Sequence, residues 1–101
     1  MSKPECKIDK YGTKRWYLNG KLHREDGPAI EWITGTKYWC LNGKYHREDG
    51  PAVEYESGSK FWYLNDEKVH PETIVDLWLS RGVFCWYDET NDCLNFGKKD
   101  E

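Results

Sequence analysis

The residues best suited to chemistry in this sequence form one polar segment that occurs twice. His23-Arg24-Glu25-Asp26-Gly27-Pro28-Ala29 is repeated without change over residues 46–52. A histidine close to carboxylates suits a general base or a metal site. Arginines repeated along a surface could instead hold phosphate groups. Which of these sites can form depends on where the strands and turns place the two copies of the segment.

The two copies belong to a longer repeat with a period of 23 residues. Two units are complete, and a third is truncated where Asp66 replaces a glycine. The positions that recur are Gly12, Gly35 and Gly58; Trp16, Trp39 and Trp62; Leu18, Leu41 and Leu64; and Asn19, Asn42 and Asn65. We expect a single domain made of a lead-in (1–11), repeats 12–34, 35–57 and 58–70, a helix (71–82), C-terminal strands (83–96) and a solvated tail (97–101).

Each unit predicts a β-hairpin followed by a second turn. Asn19-Gly20 is a strong hairpin signal, because both central residues of a type I′ turn need positive φ. Asp26-Gly27-Pro28 predicts a second turn or kink, in which Gly27 tolerates positive φ and Pro28 cannot donate to a ladder. The sequence therefore predicts a mainly β fold, an antiparallel meander of tandem hairpins with six or more strands, curved or partly closed, with one short C-terminal capping helix.

Alternation along the strands separates two faces of the predicted sheet. We interpret one face as the core and expect the second, which becomes more apolar towards the third unit, to be covered by the helix that begins near Pro71. The predicted core positions are Trp16, Leu18, Trp39, Leu41, Trp62 and Leu64; the second face holds Arg15, Tyr17, Tyr38, Cys40, Phe61 and Tyr63.

Composition narrows the classes of function. The chain has 101 residues, a formal net charge of −3 and 16% aromatic residues. The mild acidity argues against a nucleic-acid or anionic-membrane binder. The polar start and the lack of a long apolar run predict neither signal peptide nor membrane span, hence a cytoplasmic protein. The cysteines, Cys6, Cys40, Cys85 and Cys93, lack a C-x-x-C pair, so we expect free thiols and no zinc.

The 23-residue repeat resembles that of a known family. A 23-residue unit with Trp-x-x-Asn-Gly-Lys and a following Asp-Gly turn is similar to MORN-type repeats, in the variant form His-Arg-x-Asp-Gly-Pro-Ala. Such units resemble those of small proteins from phages and large DNA viruses, and the resemblance covers roughly residues 12–70. It implies a β-meander scaffold with a non-enzymatic binding role. The broken third unit and the aromatic C-terminal strands depart from the family pattern.

The repeated polar segment does not predict catalysis or a metal site. Equivalent positions in neighbouring units lie two strands, roughly 10 Å, apart, whereas a His–metal bond is about 2.1 Å. His23 and His46 therefore should not share an ion. We interpret the segment as structural, with the arginine paired to an acid or a carbonyl, and predict no enzyme and no cofactor. An anion row remains the alternative, formed by Lys21, His23, Arg24, Lys44, His46 and Arg47.

Three hypotheses for function follow. The first is a protein-binding module, such as a phage-type inhibitor of a host defence protein, steered by Glu54, Glu56, Asp88, Glu89 and Asp92. The second is a protein that sequesters an anionic small molecule such as a nucleotide. The third is a structural element that pairs with a second copy through sheet edges. The predicted partner-binding residues are Tyr38, Phe61, Tyr63, Trp86, Tyr87 and Phe96.

Overall fold

The computed structural model describes residues 3–97, and the predicted tail lies outside them except for Gly97. The mainly β prediction is confirmed: the described chain is an antiparallel meander with a helix and a hairpin at its C-terminal end. The strands are β1 (Glu5–Ile8), β2 (Lys14–Leu18), β3 (Lys21–Leu22), β4 (Ile30–Glu31), β5 (Lys37–Tyr38), β6 (Cys40–Leu41), β7 (Lys44–Tyr45), β8 (Val53–Glu54), β9 (Lys60–Leu64), β10 (Glu67–Val69), β11 (Cys85–Asp88) and β12 (Cys93–Phe96); the helix α1 is Pro71–Ser80.

One antiparallel sheet of eight strands organises the molecule. Its order is β1-β2-β4-β5-β8-β9-β10, with β3 paired to β2, so β1 and β10 are the ends of the path. The β6–β7 and β11–β12 pairs are separate. Backbone hydrogen bonds join β6–β7 to both neighbouring hairpins, from Arg24 N to Cys40 O (3.1 Å) and from Asp66 N to Tyr45 O (2.8 Å). The three repeat hairpins therefore lie side by side.

The hairpin turns follow from the Asn-Gly pairs. Asn19 and Asn42 have φ of 53° and 52°, and the glycines after them also have positive φ, as a type I′ turn requires. In the third hairpin Asp66 takes the place of glycine with φ of 71°. Its carboxylate accepts a hydrogen bond from Tyr45 N at 2.8 Å, which ties this turn to the previous hairpin.

The helix begins and ends near the predicted residues. His70 is the N-cap, and its Nδ1 accepts a hydrogen bond from Glu72 N at 3.1 Å. Pro71 occupies the first turn, where its missing N–H costs nothing. Gly82, with φ of 81°, follows the C-cap Arg81. Across residues 3–97, no helix combines the length and the apolar character needed to span a bilayer.

The burial pattern corrects the predicted core. Of the six predicted core residues only Trp62 is fully buried, with 4% of its surface exposed. The helix spans ten residues, or about 15 Å, so it covers only part of the long sheet. The sequence also predicts that the helix covers the second face, but it lies on the side of Trp62. It packs on the β11–β12 hairpin, and Tyr87 of that hairpin contacts the Trp62 ring. The buried apolar residues are Ala29, Ile30, Cys40, Ala52, Val53, Trp62, Ile74, Val75 and Cys85.

The first prediction concerns the attachment of the helix to the sheet. Ile74 has 0% of its surface exposed, so Ile74→Ala should lower the free energy of unfolding by roughly 2–5 kcal/mol in urea titrations. The milder Ile74→Val should cost about 0.5–1.5 kcal/mol if the alanine variant does not fold. Leu79, on the same helix with 47% exposure, is the control. Equal losses for Ile74→Ala and Leu79→Ala would contradict the packing.

Candidate functional site

The arginine of each polar segment lies over the tryptophan ring of its own unit. The Cζ atom of Arg47 is 3.8 Å from the ring centroid of Trp39, and that of Arg24 is 3.9 Å from that of Trp16. Both side chains are about four fifths buried. A desolvated guanidinium over a tryptophan face is attracted by the ring quadrupole. The stack fixes the polar segment against the sheet.

Carboxylates and a carbonyl hold the edges of each guanidinium. Arg47 Nε donates to Asp49 at 2.9 Å, and its Nη1 donates to Pro51 O at 3.0 Å and to Glu54 at 3.1 Å. Arg24 repeats these contacts with residues 26, 28 and 31. Two of the three nitrogen atoms are therefore already occupied. These contacts leave little of either arginine for the phosphate group of a separate ligand.

The glycine in each segment serves close approach rather than an unusual backbone conformation. The tolerance of glycine for positive φ is not used at this turn, since neither Gly27 nor Gly50 has positive φ. A Cβ on Gly50 would lie 2.6 Å from Arg47 Cζ, and one on Gly27 would lie 2.9 Å from the equivalent atom. Glycine is needed because the stacked guanidinium occupies that space.

Each histidine of the polar segments accepts a backbone hydrogen bond from the following hairpin. Asn42 N donates to His23 Nδ1 at 2.9 Å, and Asn65 N donates to His46 Nδ1 at 3.0 Å. Because Nδ1 accepts, Nε2 carries the proton of the neutral ring and faces a carboxylate, Glu48 in the second unit at 3.1 Å. Neither imidazole has a free Nδ1 for proton transfer or metal binding.

An open groove of about 770 Å³ runs between the two polar segments. We name it the Trp39 groove. Trp39 and Leu41 form its floor, Arg24–Gly27 and His46–Asp49 form its two walls, and Trp78 and Phe96 bound it on the side of the helix. Trp78 Nε1 donates to the backbone carbonyl of Glu48, which joins the helix to one wall.

The tryptophans equivalent to Trp39 in the other two units differ from it in how far they are covered. In the first unit Trp16 and Leu18 lie in a smaller groove of about 550 Å³, which shares residues 24–26 with the Trp39 groove. In the third unit the Tyr87 ring packs edge-on against Trp62 with 5.9 Å between centroids, and Trp62 is buried. The chain thus closes the tryptophan floor with its own aromatic ring in the third unit. In the first two units an arginine lies over the ring, and the rest of the tryptophan is only half-buried.

The Trp39 groove carries an excess of negative charge. Its lining contains four carboxylates and two guanidinium groups. The Arg81 guanidinium binds Glu48 at 2.7 Å and, with a smaller contribution from His46, lowers the pKa of the Glu48 carboxyl below its usual value. Four fifths of the Glu25 side chain is exposed. The groove is therefore both aromatic and acidic.

The structure places the six predicted partner residues in different surroundings. Tyr38, Phe61 and Tyr63 belong to a half-exposed cluster on the opposite side of the sheet, which we name the tyrosine face. Tyr87 covers Trp62, Phe96 contacts Trp78 and lines the Trp39 groove, and Trp86 packs on Phe84. The rings of the tyrosine face contact one another mostly edge to face and are Trp32, Tyr38, Tyr45, Tyr55, Phe61 and Tyr63.

Two ionisable groups near the tyrosine face are shifted towards their neutral forms. The neighbouring Tyr55 hydroxyl, and then burial, raises the pKa of Tyr38 to about 12. Burial, and then the charge of Asp66, raises the pKa of the Cys40 thiol to about 11. The thiolate, which is the nucleophilic form, is therefore scarce in Cys40 at neutral pH. All four cysteines are free thiols, and residues 3–97 contain no cluster of side chains suited to hold a metal ion.

Sequence reasoning missed several residues of the Trp39 groove. The sequence predicts Trp39 and Leu41 as core residues and the polar segment, with its acids Glu25, Glu48 and Asp49, as structural. The length of the predicted helix could have indicated an uncovered groove. A helix of about 15 Å cannot cover three units of a sheet whose strands are ~4.8 Å apart. The contribution of Trp78 could not be read from the sequence, since it depends on the direction of the helix.

Comparisons of the chain with protein-family models, with curated proteins and with solved structures gave no match. Function must therefore be argued from the geometry of the groove.

The second prediction tests whether the stacked guanidinium requires the glycine. Gly50→Ala should lower the free energy of unfolding by about 1–3 kcal/mol, because the added methyl group overlaps Arg47. In an Arg47→Ala background the same substitution should cost much less, since the space is empty. Urea unfolding of the four proteins gives the coupling energy. Additive effects would show that the contact is not the reason for glycine.

The third prediction concerns the Glu48–Arg81 ion pair. The folded-state pKa of Glu48 lies below its ordinary value of 4.5, so the stabilisation is complete above that value and is lost as the pH falls through the lower folded pKa. Arg81→Gln should lower the melting temperature at neutral pH. This effect should shrink as the pH falls through the lowered folded pKa of Glu48, because the carboxyl becomes protonated.

The exposed Lys14 provides the control for this charge change. Lys14→Gln removes one positive charge elsewhere on the sheet and should not show the same pH dependence. A destabilisation by Arg81→Gln that persists unchanged in acid would contradict the assignment to Glu48.

Proposed function

We propose that this chain is a non-catalytic protein-binding module that engages its partner through the Trp39 groove. The observation that carries the proposal is the unequal treatment of equivalent tryptophans. Trp62 is closed by the Tyr87 ring, whereas Trp39 and Leu41 lie half-exposed in an open groove. Accessible aromatic floors with polar walls are characteristic of surfaces that bury side chains of another molecule.

The walls of the groove favour binding without a large rearrangement. Both polar segments are fixed by buried arginines with three hydrogen bonds each, and the histidines tie them to the next hairpins. A preorganised surface loses little conformational entropy when it binds. The absence of a free imidazole nitrogen at Nδ1 and of a reactive thiol at Cys40 supports a binding role over a catalytic one.

The nucleotide-sequestering alternative has less support from the same contacts. It needs arginine nitrogens that are available to phosphate oxygens, but Nε and Nη1 of Arg24 and Arg47 are held by carboxylates and carbonyls. The acidic walls would also repel a polyanion. The narrower hypothesis of a phage-type inhibitor depends on the resemblance to MORN-type repeats. It adds to the proposed binding role that binding inhibits the partner.

The fourth prediction tests the groove by affinity capture with two matched variants. Leu41→Ser alters the groove floor, whereas Leu79→Ser makes the same change on the exposed side of the helix. The wild type and Leu79→Ser should retain one stoichiometric partner from a lysate of the cells in which the protein occurs, and Leu41→Ser should lose most of it. The activity of the eluted partner then shows whether binding inhibits it.

Thermal melts of both variants must show that they fold. If Leu41→Ser does not, the smaller truncation Leu41→Ala replaces it. Equal capture by the Leu41 and Leu79 variants would exclude the groove, and capture of no stoichiometric partner by the wild type would contradict the proposed function itself.

A further inference from the structure

We propose that the Trp39 groove takes an extended segment of the partner protein in which an aromatic residue and an arginine or lysine are two positions apart. This inference rests on the proposed function and specifies the chemistry of the partner. Two observations support it. One is the charge of the groove walls, and the other is the position of the chain's own C-terminal rings and arginine beside the groove.

The charge of the walls selects a cation. Glu25, Asp26, Glu48 and Asp49 face two guanidinium groups, and each of those also binds a second carboxylate outside the groove, Glu31 or Glu54. Roughly 80–90% of the Glu25 and Asp26 side chains is exposed. Asp26, Asp49 and Glu48 are paired with Arg24, Arg47 and Arg81, so the excess of negative charge in the described walls lies mainly at the exposed Glu25. A net negative charge at the rim of an apolar floor attracts basic side chains and repels acidic ones.

The C-terminal residues of this chain already show the combination of ring and cation. Arg81 binds Glu48 through two nitrogens, at 2.7 and 3.4 Å, while its Cζ lies 5.2 Å from the ring centroid of Trp78. Tyr87 covers Trp62 edge-on, and Phe96 contacts Trp78 in the same geometry. A partner segment with these two side-chain types would continue this arrangement on Leu41 and on the part of Trp39 that Arg47 does not cover.

The spacing of the walls suits an extended backbone. The strands β2 and β5 are two steps apart in the sheet order, so the equivalent walls lie roughly 10 Å from each other. Residues i and i+2 of an extended chain are about 6.6–6.8 Å apart and point to the same side. One such residue can place its ring on the floor while the other places its cation against a wall.

Synthetic ten-residue peptides can test both requirements. The probe carries Arg-Ser-Tyr-Ser-Arg in a Gly-Ser background; three controls replace both arginines with glutamine, both arginines with glutamate, or the tyrosine with serine. Amide chemical shifts of the full-length protein report both the affinity and the location of binding. The probe should shift the groove residues and bind at least about tenfold more tightly than each control, with affinity falling as salt rises.

Protein variants separate groove recognition from general charge attraction. Glu25→Gln should weaken binding of the probe several-fold, whereas Glu67→Gln, on the exposed strand β10, should leave it unchanged. Arg81→Gln should strengthen binding, because it frees the Glu48 carboxylate from the chain's own cation. A merely structural role of Arg81 would not increase affinity.

The outcomes distinguish this inference from the proposed function. Equal binding of the arginine and glutamine peptides in the groove would overturn the cationic requirement and leave a protein-binding groove. Equal binding without the tyrosine would overturn the aromatic requirement. If no peptide shifts the groove residues while Leu41→Ser still abolishes capture of the natural partner, the inference fails and the proposed function stands.

Discussion

A guanidinium group held over a tryptophan ring is the contact on which the architecture of this protein depends. Arg47 contacts Trp39 with its face, while its edges bind Asp49, the carbonyl of residue 51 and Glu54 on β8. One side chain thus joins two segments of the sheet and the turn between them. Removing a partner would leave a largely buried charge unpaired, which is costly, so the whole polar segment is fixed. The same contacts that hold the arginine therefore also form the wall of the Trp39 groove.

The third unit shows what happens when this contact is lost. His70 stands 23 residues after Arg47, and it caps α1 instead of stacking on Trp62. The Tyr87 ring covers Trp62 and also approaches His70, with 6.3 Å between the centroids. A cation covers one face of a tryptophan but leaves its rim accessible, whereas a packed hairpin excludes solvent. The open and closed units therefore differ in what lies over the tryptophan, which is a guanidinium group in the first two units and the Tyr87 ring in the third.

Local signals in the sequence predicted local structure well. The Asn-Gly turns, the helix start at Pro71 and the alternation of β9 follow from backbone preferences that operate within a few residues. The coverage of the two faces could not be predicted in this way, because it depends on the direction of the chain after Gly82. The role of Gly50 was likewise hidden, since the atom that approaches it belongs to a side chain held in place by residues on other strands. For the groove, the sequence supplied the residues but not their juxtaposition.

The hydrogen bond from each histidine to the next hairpin has a consequence for how such a chain can change in length. Asn42 is positioned by an imidazole 19 residues earlier, and Asn65 by the equivalent imidazole at the same separation. A unit inserted in register would bring its own acceptor for the hairpin that follows and its own donor for the hairpin that precedes. The C-terminal segment would still close only the final tryptophan. The valency of the molecule, meaning the number of floors left open along it, is thereby set by unit number and is independent of how the end is sealed.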